Sequence, residues 1–287
     1  MKDNTKGMLL MLICPIVWSF SGLLAKGIPW PGLCLAGWRG VLSALTMFVY
    51  MRMTKIRIVV NRYSIGSALS VALTILFYFF ALKRTTAASA VALQYVEPAF
   101  FLLFSILLLG KRYKLGDFLV VLTAFAGTAC VFASSESPGS LLGNVVALLS
   151  GATYAMQIIC MTDQELDVRL TGLMLGNLLA GVGVFTADIR TLPMGGGILW
   201  IVLLCGLFQV SVPHIIMGYA MKLTTPLACA LISTVEIVLN PIWVFLFVGE
   251  KPPLLALLGA AIIGCAVAVW CVRSAKEGRA AAREAEV

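Results

Sequence analysis

The sequence predicts an all-α polytopic membrane protein: ten transmembrane helices arranged as two inverted five-helix repeats. Three observations predict it. Of the 287 residues, 61% are hydrophobic and only 12% are charged, with a mean hydropathy of +1.00. A soluble domain of this size needs a charged surface that such a composition cannot supply. Apolar runs of about 20 residues recur from end to end, the length that crosses a bilayer as a helix. Lipid offers no partner to an unpaired backbone group, which leaves helices as the form these runs can take. Finally, residues 81–112 align without gaps on residues 220–251, with 8 of 32 positions identical.

Charge, proline and glycine punctuate the runs in order. The first, 7–26, lies between Lys6 and Lys26; the second, 31–52, lies between Pro31 and Arg52. The third (64–83) follows Arg62, and the fourth (86–109) follows Thr85 and ends before Gly110 and Lys111. The fifth covers 114–134, and the sixth, 140–161, follows Pro138 and Gly139. The seventh (170–189) follows Arg169, and the eighth (198–220) follows the run "MGGG". The ninth covers 225–248, and the tenth, 254–273, follows Pro252 and Pro253. Short connections make neighbouring spans antiparallel. No small-residue cleavage site follows "GMLLMLICPIVWSF", so the first span is expected to be kept.

Ten spans put both termini on one side. Fifteen Lys and Arg fall on that side and five on the other, with Arg39 inside the second span. The positive-inside rule then places both termini in the cytoplasm of a multi-pass protein of the cell inner membrane. The net charge of +8 is accounted for by this topology, and no nucleic-acid partner is expected. The eight cysteines all fall in apolar spans without a paired spacing. They read as small helix residues, with no metal or cofactor expected.

The alignment at an offset of 139 superposes Lys83 on Lys222, Thr85 and Thr86 on Thr224 and Thr225, Gly110 on Gly249, and Glu97 on Glu236. At an offset of 136, Trp18 falls on Tyr154. The predicted division is therefore 1–137 and 138–273, each a five-helix repeat, followed by a charged cytoplasmic tail at 274–287. Because five is odd, the halves lie inverted. Inverted repeats around a midplane site are a recurring build of secondary transporters.

Four stretches carry a family resemblance: "WSFSGLLAK", "WRG", "TTAASAVALQYVEPAFFLLFSILLLGKR" and "VEIVLNPIWVFLFVGEKP". Through them the chain resembles the drug/metabolite transporter superfamily, in particular its EamA-type ten-helix members. The resemblance implies a 5+5 fold with a central cavity that moves small metabolites by alternating access. Two departures stand out. Ile237 follows the ninth-span glutamate where many relatives have proline, and Lys111 stands where an acidic residue often ends span four.

Ionisable residues at membrane depth are costly and are functional candidates by default. Here they are Arg39, Glu97, His214 and Glu236. Glu97 lies 11 residues into its span, near mid-bilayer at about 1.5 Å per residue. Gln94 shares its helix face, and Pro98 removes a backbone donor beside it. Glu236 sits equally deep, with Ser233 and Asn240 on its face and Pro241 next. Such carboxylates can carry a proton across a membrane or pair with a cation, so Glu97, Glu236 and His214 are the expected proton-coupling residues. Trp18, Tyr78 and Tyr154 lie too deep for an interfacial belt, and Gln157 is one turn past Tyr154. Aromatic faces beside a carboxylate suit an organic cation. The expected substrate-binding set is Trp18, Tyr78, Gln94, Glu97, Tyr154, Gln157, Ser233, Glu236 and Asn240. Arg39 is a candidate to hold a substrate carboxylate or to be the counter-ion of a glutamate, with a structural ion pair or snorkelling the favoured expectation. Spans five and ten are expected to be scaffold or dimer-contact helices.

These readings lead to a secondary active transporter for a small amine, amino-acid-like or quaternary ammonium metabolite, coupled to protons. The alternatives are an exporter of neutral or aromatic metabolites and a passive channel. An intramembrane enzyme is disfavoured by the absence of an HExxH motif and of any mid-span aspartate. The expected partners are a small-molecule substrate, the lipid bilayer and the proton. The sequence fits a monomer or a homodimer.

Overall fold

The protein is represented by a computed structural model describing residues 2–133, 138–195, 197–249 and 251, and parts of 254–273. Ten helices are present among these residues. They are α1 (Lys2–Trp18 and Phe20–Gly27), α2 (Gly32–Met53), α3 (Arg62–Leu82), α4 (Ala87–Gln94 and Glu97–Leu109) and α5 (Leu115–Ala133). The second group is α6 (Pro138–Met161), α7 (Leu166–Ala180), α8 (Ile198–Leu223), α9 (Pro226–Ser233 and Glu236–Val248) and α10, whose apolar part is Leu257–Ala266. A 3-10 turn, Gly181–Thr186, extends α7. A π-helical segment, Cys205–Val210, lies inside α8. The proposed tail at 274–287 lies outside the described residues.

Among the described residues, eight helices are long and apolar enough to cross a membrane, where ten were expected. The other two, Leu115–Cys130 and Leu257–Ala266, are shorter apolar helices. Large side chains such as Phe185, Trp200, Leu107 and Phe247 stand exposed on the outside, as lipid-facing residues do. Helix α3 packs on α6 and α7, and α1 packs on α8.

The seventh span begins at Leu166, four residues before the predicted start at 170. The sequence places Arg169 in a loop because it is charged. In the fold it is buried: Nε donates to the Met161 carbonyl at 3.0 Å and Nη1 to the Gly218 carbonyl at 3.4 Å. It joins the ends of α6, α7 and α8. Arg169→Ala should leave those buried acceptors without their donor and cost roughly 1–3 kcal/mol, seen as faster loss of folded protein on heating in detergent.

Helices α4 and α9 are each broken once. The halves Ala87–Gln94 and Glu97–Leu109 of α4 correspond, at the offset of 139, to Pro226–Ser233 and Glu236–Val248 of α9. The ends match as well. Thr86 caps Ala87–Gln94 by accepting from the Ser89 N–H at 3.1 Å, and Thr225 caps its counterpart by accepting from the Ala228 N–H at 3.2 Å. Gly110 (φ 61°) and Gly249 (φ 80°) end the two helices in the left-handed region that glycine enters without a Cβ penalty. Since α9 breaks with Ile237 where α4 has Pro98, proline is not what causes the break. Pro98 sits in the first turn of the second half-helix, where a missing N–H is harmless.

The backbones of α2 and the end of α7 touch. A Cβ on Gly37 would lie 2.4 Å from the Val184 nitrogen, and one on Gly183 would lie 2.2 Å from the Leu33 carbonyl oxygen. Both atoms belong to rigid backbone. Gly37→Val should separate the two helices and destabilise the fold by about 1–3 kcal/mol, lowering the melting temperature in detergent.

Candidate functional site: a central cavity

Both helix breaks sit beside a central cavity of about 90 Å³. Its walls carry Trp18, Tyr78, Gln94, Tyr95, Tyr154 and Glu236, with Arg39, Gln157, Asn177, Gln209 and His214. Aromatic walls with a few convergent polar groups are the lining of a small-molecule site.

Glu236 opens the second half of α9, and donors from three helices meet its carboxylate. Tyr95 Oη donates to Oε2 at 2.7 Å, Ser21 Oγ to Oε1 at 3.1 Å, and Asn240 Nδ2 to Oε1 at 3.5 Å. Tyr78 Oη joins the cluster through Ser21 at 3.2 Å and Asn240 at 3.4 Å. A carboxylate offers about four acceptor sites, so three donors leave room for a further one from the cavity. The break in α4 puts Tyr95 at the junction of its two halves, and from there its hydroxyl reaches across to α9. Tight packing supports the cluster: a Cβ on Gly22 would lie 2.1 Å from Asn240 Oδ1.

The aromatic wall is continuous. Trp18 meets Tyr154 edge-on at 6.3 Å and His214 at 5.6 Å, and Tyr95 meets Tyr154 at 6.2 Å between ring centres. Tyr154 Oη shares a hydrogen bond with Ser233 Oγ at 3.1 Å. Ser150 Oγ donates to Gln94 Oε1 at 3.3 Å. His214 Nδ1 pairs with Asn177 Nδ2 at 2.9 Å, and Asn177 Nδ2 also donates to the Leu173 carbonyl at 2.8 Å. If the amide donates both bonds, it fixes Nδ1 as the acceptor of a neutral ring.

The expected residues thus divide. Trp18, Tyr78, Gln94, Tyr154, Gln157, Glu236 and His214 lie on the cavity wall. Ser233 and Asn240 stand behind it, holding Tyr154 and the Glu236 cluster. Glu97 lies off the wall: it is fully buried, and neither carboxyl oxygen has a hydrogen-bond partner among the described residues. Arg39 also departs from expectation. It lines the cavity, buried, with its guanidinium 4.4 Å over the Phe79 ring and Nη2 donating to Gln209 Oε1. Among the described residues it has no carboxylate at ion-pair distance.

Sequence reasoning passed over Tyr95 as a donor to Glu236 and did not single out Asn177. The first was within reach, because Tyr95 lies next to Gln94 at the α4 break. The second had no local signal.

Eight long apolar helices around an aromatic cavity define a helical membrane-protein fold among the described residues. Residues 5–133, a little under half of the chain, match the model of the EamA-like transporter family. The resemblance carried by "WSFSGLLAK" and "VALQYVEPAF" stands on this finding. No curated protein matches the chain. Among solved structures 29 chains match. One of them, a protein crystal structure 17% identical, superposes with a TM-score of 0.72 over 95% of this chain and 99% of its own; at that identity the likeness is one of fold.

Proposed function

We propose that the protein is a secondary active transporter that binds a small organic cation or zwitterion in the central cavity, with Glu236 as the carboxylate that meets its positive charge. The observation that carries this reading is the Glu236 carboxylate on an aromatic wall formed by Trp18, Tyr95 and Tyr154. A quaternary amine, a primary amine or an amino acid offers the cation, and the rings add attraction of about 0.5–2 kcal/mol for each favourable face. Proton and substrate compete for the same carboxylate, which is the logic of exchange. Glu97, His214 and Glu236 are the proposed proton-coupling groups.

The paired breaks of α4 and α9 support an inverted 5+5 repeat, 1–137 and 138–273. In that reading Glu97 and Glu236 are symmetry mates, and only Glu236 meets the cavity in this state. Alternating access would exchange their environments. The bias of basic residues supports cytoplasmic termini in an inner membrane.

A thermal-shift screen of purified protein against amines, amino acids and neutral aromatics, at about pH 6 and about pH 8, tests the reading. A ligand at 100 times its Kd should stabilise the fold by about 2.7 kcal/mol. Cations should stabilise the protein, and less so at the lower pH, where protons occupy the carboxylate. Stabilisation by uncharged aromatics alone, indifferent to pH, would instead favour an exporter of neutral aromatic metabolites, for which the apolar rings of the wall speak.

A further inference from the structure

An apolar groove of about 490 Å³ runs between α1 and α8, against about 90 Å³ for the central cavity. Val17, Phe20 and Leu24 of α1 form one side of it, and Ile201, Leu204 and Phe208 of α8 form the other. Those three α8 side chains stand exposed on the outside of the bundle, so the groove opens toward the hydrocarbon of a bilayer. Its inner end carries Gln209. Among the described residues Gln209 is the only one common to the groove and to the wall of the central cavity. The two spaces therefore meet at this side chain.

Both helices are irregular where they meet it. Helix α8 is π-helical over Cys205–Val210, and α1 is interrupted at Ser19. Single π-turns inside α-helices are rare and occur frequently at functional sites. The Gln209 amide closes the seam between the two irregular turns. Its Nε2 donates to the Val17 and Trp18 carbonyls, each at 3.2 Å, and its Oε1 accepts from Arg39 Nη2. The partition is thus a side chain, and a change of its rotamer opens the seam without moving either helix. The groove's own walls are hydrocarbon and sulfur apart from this amide; they suit an apolar chain and offer nothing to a charged group.

We infer that the groove and the cavity form one site for an amphiphilic cation, whose charged head meets Glu236 and whose hydrocarbon tail passes Gln209 to lie between α1 and α8. This rests on the proposed role of Glu236 and narrows its ligands to cations that carry an apolar chain. The two volumes match the two parts of such a molecule: the small polar space takes a compact head, and the larger apolar one takes the tail. The orientation is fixed by charge, because Glu236 lies on the cavity wall and no ionisable side chain lines the groove. The groove also gives the ligand a path, since a molecule dissolved in the bilayer reaches the seam sideways.

The test titrates the purified full-length chain in detergent with tetramethylammonium and with alkyltrimethylammonium ions bearing ethyl, butyl, hexyl and octyl tails. Affinity for the wild type should rise on the order of threefold for each added methylene until the groove is full. Leu204→Trp fills the groove without touching the cavity wall. It should flatten the series while leaving tetramethylammonium binding within about twofold of wild type. Ile201→Trp does the same from the neighbouring turn and serves if Leu204→Trp fails to fold. Leu199→Trp, exposed on the same helix and outside the groove, should leave the series steep. A series equally steep in all of these proteins would mean that the tails only follow the detergent, and would overturn the inference. A series flat in the wild type, with tetramethylammonium bound, would overturn it too and leave the role of Glu236 standing. If no member of the series binds, the cation reading falls and takes the inference with it.

Discussion

Glu236→Gln should abolish proton-coupled transport while leaving a folded, membrane-inserted protein. The substitution keeps the size and the hydrogen-bonding shape of the side chain. Tyr95 and Ser21 now donate to different carboxylate oxygens at 2.7 and 3.1 Å; the Gln oxygen can accept from one of these hydroxyls while its NH2 donates to the oxygen of the other. The cluster that joins α1, α3, α4 and α9 should therefore survive. What is lost is the negative charge and the site that a proton can occupy. Uptake of substrate against its gradient into proteoliposomes with an imposed pH difference should fall to background, and the melting temperature without ligand should change little. Wild-type coupling in the variant would remove Glu236 from the mechanism.

Trp18→Ala should raise the Kd for substrate on the order of tenfold, about 1–2 kcal/mol of lost ring contact, and should affect stability less. Trp18 is only partly buried, and its ring faces the cavity between Tyr154 and His214. Around it the fold is held by other groups: Cys14 one turn earlier donates to the Pro213 carbonyl at 3.3 Å, and Gln209 donates to the Trp18 backbone carbonyl. The backbone contact survives the substitution, and the ring face does not. Titration of purified variant against the best ligand of the screen reads the difference. Unchanged affinity with a large fall in melting temperature would make Trp18 a packing residue.

Much of the fold is legible in the sequence because membranes impose long, uniform constraints. Runs bounded by Lys6, Lys26, Arg52 and Lys111 translate directly into helices, and the pair of glutamates at an offset of 139 marks the two broken helices. What the sequence could not give is rotation and partnership. Glu97 and Glu236 occupy equivalent positions on helices broken at equivalent places, yet one faces the cavity and the other is sealed. That difference depends on how each half packs, and no local pattern carries it. Arg39 and Arg169 pose the same problem in reverse. The sequence places Arg39 inside a span and Arg169 in a loop, and the packed structure buries both: Arg169 uses its donors on carbonyls, whereas Nε and Nη1 of Arg39 have no partner among the described residues. Asn177 and Gln209 carry no local signal, because a lone amide in an apolar span has meaning only once its neighbour is known.

The central claim is that the Glu236 carboxylate is the group for which substrate and proton compete. The most direct test is the number of protons released when a binding amine or amino acid is added to the purified protein in weakly buffered detergent, with a pH indicator as readout. The account predicts measurable release from the wild type, at a pH where the carboxyl is partly protonated, and none from Glu236→Gln at matched saturation. Equal release from both proteins would contradict it.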